Sequence, residues 1–229
     1  GLSNYRFEGR AIERAEPPYE PSSRARSMLF FAYGALAADE LGGELIVPEN
    51  GLISINPPLT RRRIGSLSTR TTHPHFVDSL QSIFDKVDLK VKINTPYSYK
   101  TKGEMLRQCA DQALIARLAA PSYSCGKGKR LNKHCGRCLP CLIRRASFYA
   151  AGMPDATIYA SDDLSLEATN DDVFAARYAV AGLPKRNFAR WAAEAGPLPS
   201  DPKRHAGHVD VVKRGMNELK DFLATVKWP

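Results

Sequence analysis

Four of the five cysteines in this chain, Cys125, Cys135, Cys138 and Cys141, fall within seventeen positions at the spacing C-x9-C-x2-C-x2-C. A Cys-x-x-Cys turn lets two sulfurs approach one ion at about 2.3 Å, and Cys125 returns across a loop to close the tetrahedron. Gly136 and Pro140 suit a tight turn running into a helix. Four thiolates leave no open coordination position, so the spacing predicts a structural Zn²⁺ and not a catalytic one. An iron–sulfur cluster is the other occupant that four thiolates hold. Cys109 stands apart, on the apolar face of a predicted helix, and reads as a buried small hydrophobe. This distribution suits a reducing compartment, which makes the cytoplasm the expected location.

The rest of the chain reads as a partial α/β layer, then the cysteine segment, then a helical tail. The expected divisions are 1–120, 121–155 and 156–229. Met28 to Ala38 is apolar for too long to be a strand and ends at Leu41-Gly42-Gly43, so a buried helix with a glycine C-cap is predicted. Leu45-Ile46-Val47 fits a core strand of a parallel sheet. Phe76, Leu80, Ile83, Phe84 and Val87 have helical spacing, and 89–93 then alternates like a strand. Thr101 with Glu104 forms a capping box for a helix expected to run to Leu118. Further helices are predicted over 142–151, 173–180, 187–195 and 208–226. No stretch approaches the roughly 20 apolar residues that span a bilayer. The formal charge of +9, nearer to about +7 once four thiolates hold one Zn²⁺, favours anionic partners such as nucleotides or nucleic acid.

Ser124-Cys125, then His134-Cys135-Gly136-Arg137-Cys138-Leu139-Pro140-Cys141 with Arg144-Arg145 behind it, then Gly152-Met153-Pro154-Asp155, resembles the C-terminal signature of the QueC family. Those 7-cyano-7-deazaguanine synthases of queuosine biosynthesis belong to the PP-loop ATP pyrophosphatases. The run Arg24-Ala25-Arg26-Ser27-Met28, Thr95-Pro96 and the Lys102-Gly103-Glu104 segment resemble family elements in the same order, so the likeness covers roughly 24–155. Pro48-Glu49-Asn50-Gly51, the hydroxyl-rich 65–74 and the long tail look more like QueC-like proteins of anti-phage, Qat-type systems. The resemblance implies a partial Rossmann-like, HUP-type parallel sheet with helices, a Cys₄ zinc knuckle and an all-helical C-terminal extension. It also implies ATP and Mg²⁺. Yet the Ser-Gly-Gly-x-Asp-Ser loop that cradles ATP phosphates does not occur in this sequence. The chain is therefore expected to be the C-terminal part of a longer enzyme, or to need a protein partner that supplies that half.

Candidate binding residues follow from place as well as likeness. Glu49 and Asn50 stand after a predicted strand, where open parallel sheets form their ligand crevice; a plain Asn-Gly turn is the competing reading. Ser66, Ser68, Thr69, Arg70, Thr71 and Thr72 can offer hydroxyls and a guanidinium to a phosphate or purine edge, or form a solvated loop. Arg24 and Arg26 stand at a helix start, where a cation opposes the dipole and implies a specific partner. Lys102 and Glu104 are nucleotide-contact candidates, although the capping box alone explains Glu104. No catalytic residue is assigned.

The function implied by the likeness is an ATP-dependent carbon–nitrogen ligase acting on a 7-deazaguanine: a carboxylate is activated as an adenylate, pyrophosphate leaves and an amine attacks. A degenerate nucleotide- or protein-binding module and a tRNA-binding zinc protein are the alternatives.

Overall fold

The computed structural model describes residues 24–61, 64, 70–128 and 133–229, with side chains from Arg26 onward. The first helix, α1, spans Arg24–Glu40, and Gly42 takes the left-handed conformation (φ 62°) that ends it. Strand β1 (Leu45–Ile46) follows, and pairs in parallel with β2 (Ile93–Asn94), Leu45 opposite Ile93 and Ile46 opposite Asn94. Helices α2 (Gly51–Ile55) and α3 (Pro74–Lys86) lie between the two strands in sequence.

The strand expected over 89–93 enters the ladder only at its last residue. Asp88 sits at φ 60° and turns the chain. The outer edge of the extended piece is then satisfied by a side chain: Gln81 of α3 donates to the Val91 carbonyl (3.0 Å) and accepts from the Ile93 N–H (2.8 Å). A glutamine in place of a neighbouring strand closes this edge of the sheet.

Helix α1 is not the buried helix its composition predicts. Phe31, Ala35 and Ala38 pack with Leu80, Phe84 and Val91, but on the other side Phe30 is 63% exposed and Leu36 62%. Among the described residues only one layer covers it, because α3 and the two short strands occupy one side alone. Ile46 of β1 is also exposed, and β1 has a partner strand on one side only among the described residues.

The single helix expected from Lys102 to Leu118 is two: α4 (Lys102–Arg107) and α5 (Gln112–Ala119). The Asp111 carboxylate accepts from the Leu114 N–H (2.7 Å) and restarts the helix, since an acidic cap competes with continuation. Cys109 falls in this break and is half-buried, not buried on a helical face; its Sγ lies 3.5 Å from the Asp111 carbonyl.

From the last cysteine onward come α6 (Leu139–Ala151), which holds Cys141 in its first turn, α7 (Asp171–Ala181), α8 (Phe188–Ala193) and α9 (Pro202–Leu223). Their buried faces build the largest core among the described residues, around Leu142, Val173, Trp191, Val212, Met216 and Leu219. Leu52, Ile55 and Leu59 from the first half of the chain belong to the same core, and Trp191 Nε1 donates to the Pro58 carbonyl at 2.7 Å. The tail from 156 onward thus shares its interior with α2 and α6.

Candidate metal centre

Helix α6 begins inside the cysteine cluster. Cys138 is its N-cap, Pro140 sits in its first turn and Cys141 follows one turn in, so the helix start aims two sulfurs at one point. Gly136 makes the turn before it: at φ 82° it occupies the left-handed region, and a Cβ there would lie 2.2 Å from the Ser161 carbonyl. No other residue fits that approach without a backbone shift.

The four Sγ atoms lie within 4.8 Å of one another. Cys125 and Cys138 are 3.8 Å apart, Cys135 and Cys141 3.9 Å, Cys138 and Cys141 3.4 Å. A tetrahedron with about 2.3 Å metal–sulfur bonds has edges of about 3.8 Å, so these separations fit one ion. They are far longer than the roughly 2.05 Å of a disulfide. Backbone N–H groups already point at the sulfurs: Gly128 and Cys135 at Cys125 Sγ (3.1 and 3.3 Å), Cys138 at Cys135 Sγ (3.3 Å). Such donors stabilise thiolate over thiol. Cys138 is held down to about 5, chiefly by its contact with the Cys141 thiol, which that same contact pushes up. The cluster fits a metal ion such as zinc, bound by Cys125, Cys135, Cys138 and Cys141.

Its surroundings are stapled. His134 is not a ligand: Nε2 accepts from the Ser124 N–H (3.2 Å), and its carbonyl accepts from Ala160 N–H (2.8 Å) in a bridge beside Tyr159. Arg145 stacks over the Tyr159 ring with Cζ 3.8 Å from its centroid and donates to the Asp162 carbonyl at 2.9 Å. Arg137 meets Glu167 (2.7 and 2.8 Å), and Lys127 meets the nearly buried Asp172 of α7 (2.9 Å). Arg144, 4% exposed, donates to the Thr157 hydroxyl (2.9 Å), the Ser122 hydroxyl (3.0 Å) and the carbonyls of Ala119 and Ala120. Its charge is thereby dispersed over the end of α5. The sequence signals these partners only through Arg144 and Arg145 following the fourth cysteine of the cluster; Glu167 and Asp172 carry no local signal.

The fold brings several predicted residues together next to this centre. Asn50 is fully buried as the N-cap of α2, accepting from the Ile53 N–H (3.1 Å), and Glu49 accepts from both Asn50 nitrogens (2.9 and 2.8 Å). The Gly51 N–H donates to the Lys100 carbonyl (2.9 Å), which docks this turn on the segment entering α4. Lys102 is half-buried there. Burial lowers its basicity, the nearby Arg144 adds to this, and the carboxylate of Glu49 and the cysteine Cys141 oppose it. Glu104 completes the capping box with Thr101 and also meets Arg214. Arg70, Thr71 and Thr72 lie elsewhere, at the start of α3, and Arg26 is exposed on α1. The side chain of Arg24, and Ser66, Ser68 and Thr69, lie outside the described residues.

The four cysteines and Lys102 sit inside a region shared with known proteins. Residues 71–152 match the family described as queuosine biosynthesis protein QueC. Three proteins named 7-cyano-7-deazaguanine synthase, from Brucella canis, Brucella suis biovar 1 and Brucella ovis, are each 30% identical over 141 residues, which is 62% of this chain and 54% of the relative. The chain thus spans about half the length of the curated relatives it matches. No solved structure gives a significant match. The QueC match begins beside Arg70 and ends at Gly152, the left-handed C-cap of α6, so it contains all four cysteines and Lys102 but neither α1 nor α9. No helix among the described residues is long and apolar enough to cross a membrane.

Proposed function

We propose that this chain is the C-terminal, substrate-side part of a QueC-like ATP-dependent ligase that forms a carbon–nitrogen bond on a carboxylated 7-deazaguanine through an adenylate. The observation that carries the reading is the closeness of Lys102 to Cys141 of the four-cysteine centre and to Glu49, in the loop after β1, with Lys102 and all four cysteines inside the stretch that matches QueC. In a parallel sheet that end is where ligands bind.

In this reading one Zn²⁺ holds the 125–141 loop against α6 and takes no chemical part, since its four ligands fill the coordination sphere. When bound, Mg²⁺-ATP supplies the activation of the carboxylate. Lys102, desolvated beside Glu49, is a short-range cation for the charge that develops as pyrophosphate departs. The phosphate-cradling loop comes from outside these residues. The exposure of Phe30 and Leu36 on α1 and of Ile46 on β1, which has one partner strand among the described residues, supports this: a further strand and its helix, or a protein partner, would cover them. The long tail and the Pro48–Gly51 segment support a place among the anti-phage, Qat-type relatives, with action in the cytoplasm.

The test is ATP–pyrophosphate exchange, dependent on a carboxylated 7-deazaguanine, in the polypeptide or complex that contains this chain together with an ATP-binding loop. Lys102→Ala is expected to slow exchange by about a hundredfold, the loss of one preorganised charge contact. Exchange that persists undiminished in that variant, or a complete lack of exchange with the deazaguanine, would falsify the assignment.

A further inference from the structure

A cavity of about 390 Å³ lies between the start of α3, strand β2 and the first turns of α9, and none of the four clustered cysteines lines it. Its wall includes Arg204 and His208 of α9, a helix wholly outside the QueC match. His208 is 2% exposed, yet its Nδ1 has no hydrogen-bond partner among the described residues. An unpaired buried nitrogen is costly, so a group that completes its hydrogen bonding is favoured there.

The cavity's charges decide which group. Two carboxylates line it, and both are engaged: Asp78 accepts from Arg204 Nη2 through both oxygens (2.8 and 2.9 Å), and Glu44 accepts from the Asn94 amide (2.8 Å). Lys92 also lines it, and its ammonium forms no hydrogen bond or ion pair with the described residues. Thr72, Thr95 and Ser98, each with a hydroxyl to offer, line the same space. Two helices of 13 and 22 residues begin here: Pro74 and Val77 of the first turn of α3, and Arg204 of the first turn of α9, are wall residues. Both helix starts, the positive ends of their dipoles, therefore lie at the cavity wall. An uncommitted ammonium, hydroxyl donors, a buried imidazole and two helix starts are a donor set for negative oxygen.

We propose that this cavity is a binding site for the carboxylate or phosphate group of a small molecule, held by Lys92 and the Thr72, Thr95 and Ser98 hydroxyls and closed at its inner end by His208. The site is separate from the proposed ligase centre and does not depend on it. Lys92 is exposed and close to the surface, so it draws the anion in; His208 sits deeper and completes its hydrogen bonds with the bound group.

The test is calorimetric titration of the whole chain at pH 7 with inorganic phosphate and, in a second arm, with acetate, combined with ¹⁵N spectra of the histidine rings. At least one anion is expected to saturate a single site and to shift the His208 ring nitrogens. The arm that does so tells phosphate chemistry from carboxylate chemistry. Lys92→Gln, a surface change that leaves folding intact, is expected to weaken binding about tenfold, as is His208→Asn. Lys90→Gln, whose side chain instead meets Asp88, is expected to leave it unchanged. Saturation by neither anion, or equal binding by the wild type and Lys92→Gln, overturns the proposal.

Discussion

Arg214 of α9 grips the carboxylate of Glu104 with Nη1, and with Nη2 donates to the Tyr99 carbonyl at 2.8 Å. One guanidinium thus spans both sides of the turn that delivers Lys102. Four residues on, Glu218 repeats the contact: it accepts from the Thr101 hydroxyl and from the Gly103 N–H (3.3 Å). A Cβ on Gly103 would lie 2.6 Å from that carboxylate and 3.0 Å from the Ala150 Cβ, so a larger residue here would push Glu218 aside. The C-terminal helix is in this way the clamp on a segment that belongs to the QueC match.

Breaking the clamp should loosen the segment without unfolding the chain. Arg214→Ala is expected to lower stability by about 1–2 kcal/mol, a part-exposed charged hydrogen-bond pair in which solvent screens some of the attraction. Urea unfolding of the single and double Arg214→Ala and Glu104→Gln variants measures the coupling. Strict additivity of the two losses would show that the contact contributes nothing.

The metal should be part of the fold. Purified chain is expected to hold one zinc per molecule by elemental analysis, and Cys141→Ser or a strong chelator to remove it with a clear drop in Tm, because binding energy of a structural site is folding energy. Cys109→Ser, outside the cluster, is expected to keep both the zinc and the Tm. Iron in place of zinc, with visible absorbance, would redirect the assignment to an iron–sulfur cluster.

Gly136→Ala forces a side chain into the left-handed region and against the Ser161 carbonyl. A loss of about 2–3 kcal/mol is expected, with weaker zinc retention, since strain of this kind costs about 1–3 kcal/mol before any clash is relieved. Gly152→Ala, also left-handed but with open space around its Cβ position, should cost less, about 1 kcal/mol. Equal losses for the two would mean that the approach to Ser161 has no weight.

Stability should fall between neutral and mildly acidic pH. Burial, helped by Arg70, lowers His73 from 6.5 to about 4; burial, helped by Arg204, lowers His208 likewise to about 4. Both rings are neutral in the folded chain and take up protons more readily when it unfolds. Their contribution is therefore complete above about pH 6.5 and is lost as pH falls toward 4, by on the order of 3 kcal/mol each. Denaturation midpoints from pH 7.5 to 4.5 follow this. His73→Asn or His208→Asn is expected to flatten the slope, and an unchanged slope in both would place the pH dependence elsewhere.

The metal centre was legible because its information is local: cysteines two residues apart must approach one another whatever the rest of the chain does, and Gly136 and Pro140 mark the turn and the helix start. The Thr101–Glu104 cap and the parallel pairing of Leu45–Ile46 were legible for the same reason, since caps and apolar strand runs are written within a few residues. Whether α1 is buried was not, because an apolar helix is covered only if another layer exists, and composition cannot say whether it does. The break at Asp111 was hidden by an apolar pattern that continues through it. The clamp of Arg214 and Glu218 on residues 99–104, the pairing of Lys127 with Asp172, and the meeting of Lys92 with His208 at one cavity depend on contacts more than forty positions apart. Short-range chemistry is set by spacing, whereas these partners are chosen only when the amphipathic faces of α6 to α9 close around a common core and bring distant charges within reach.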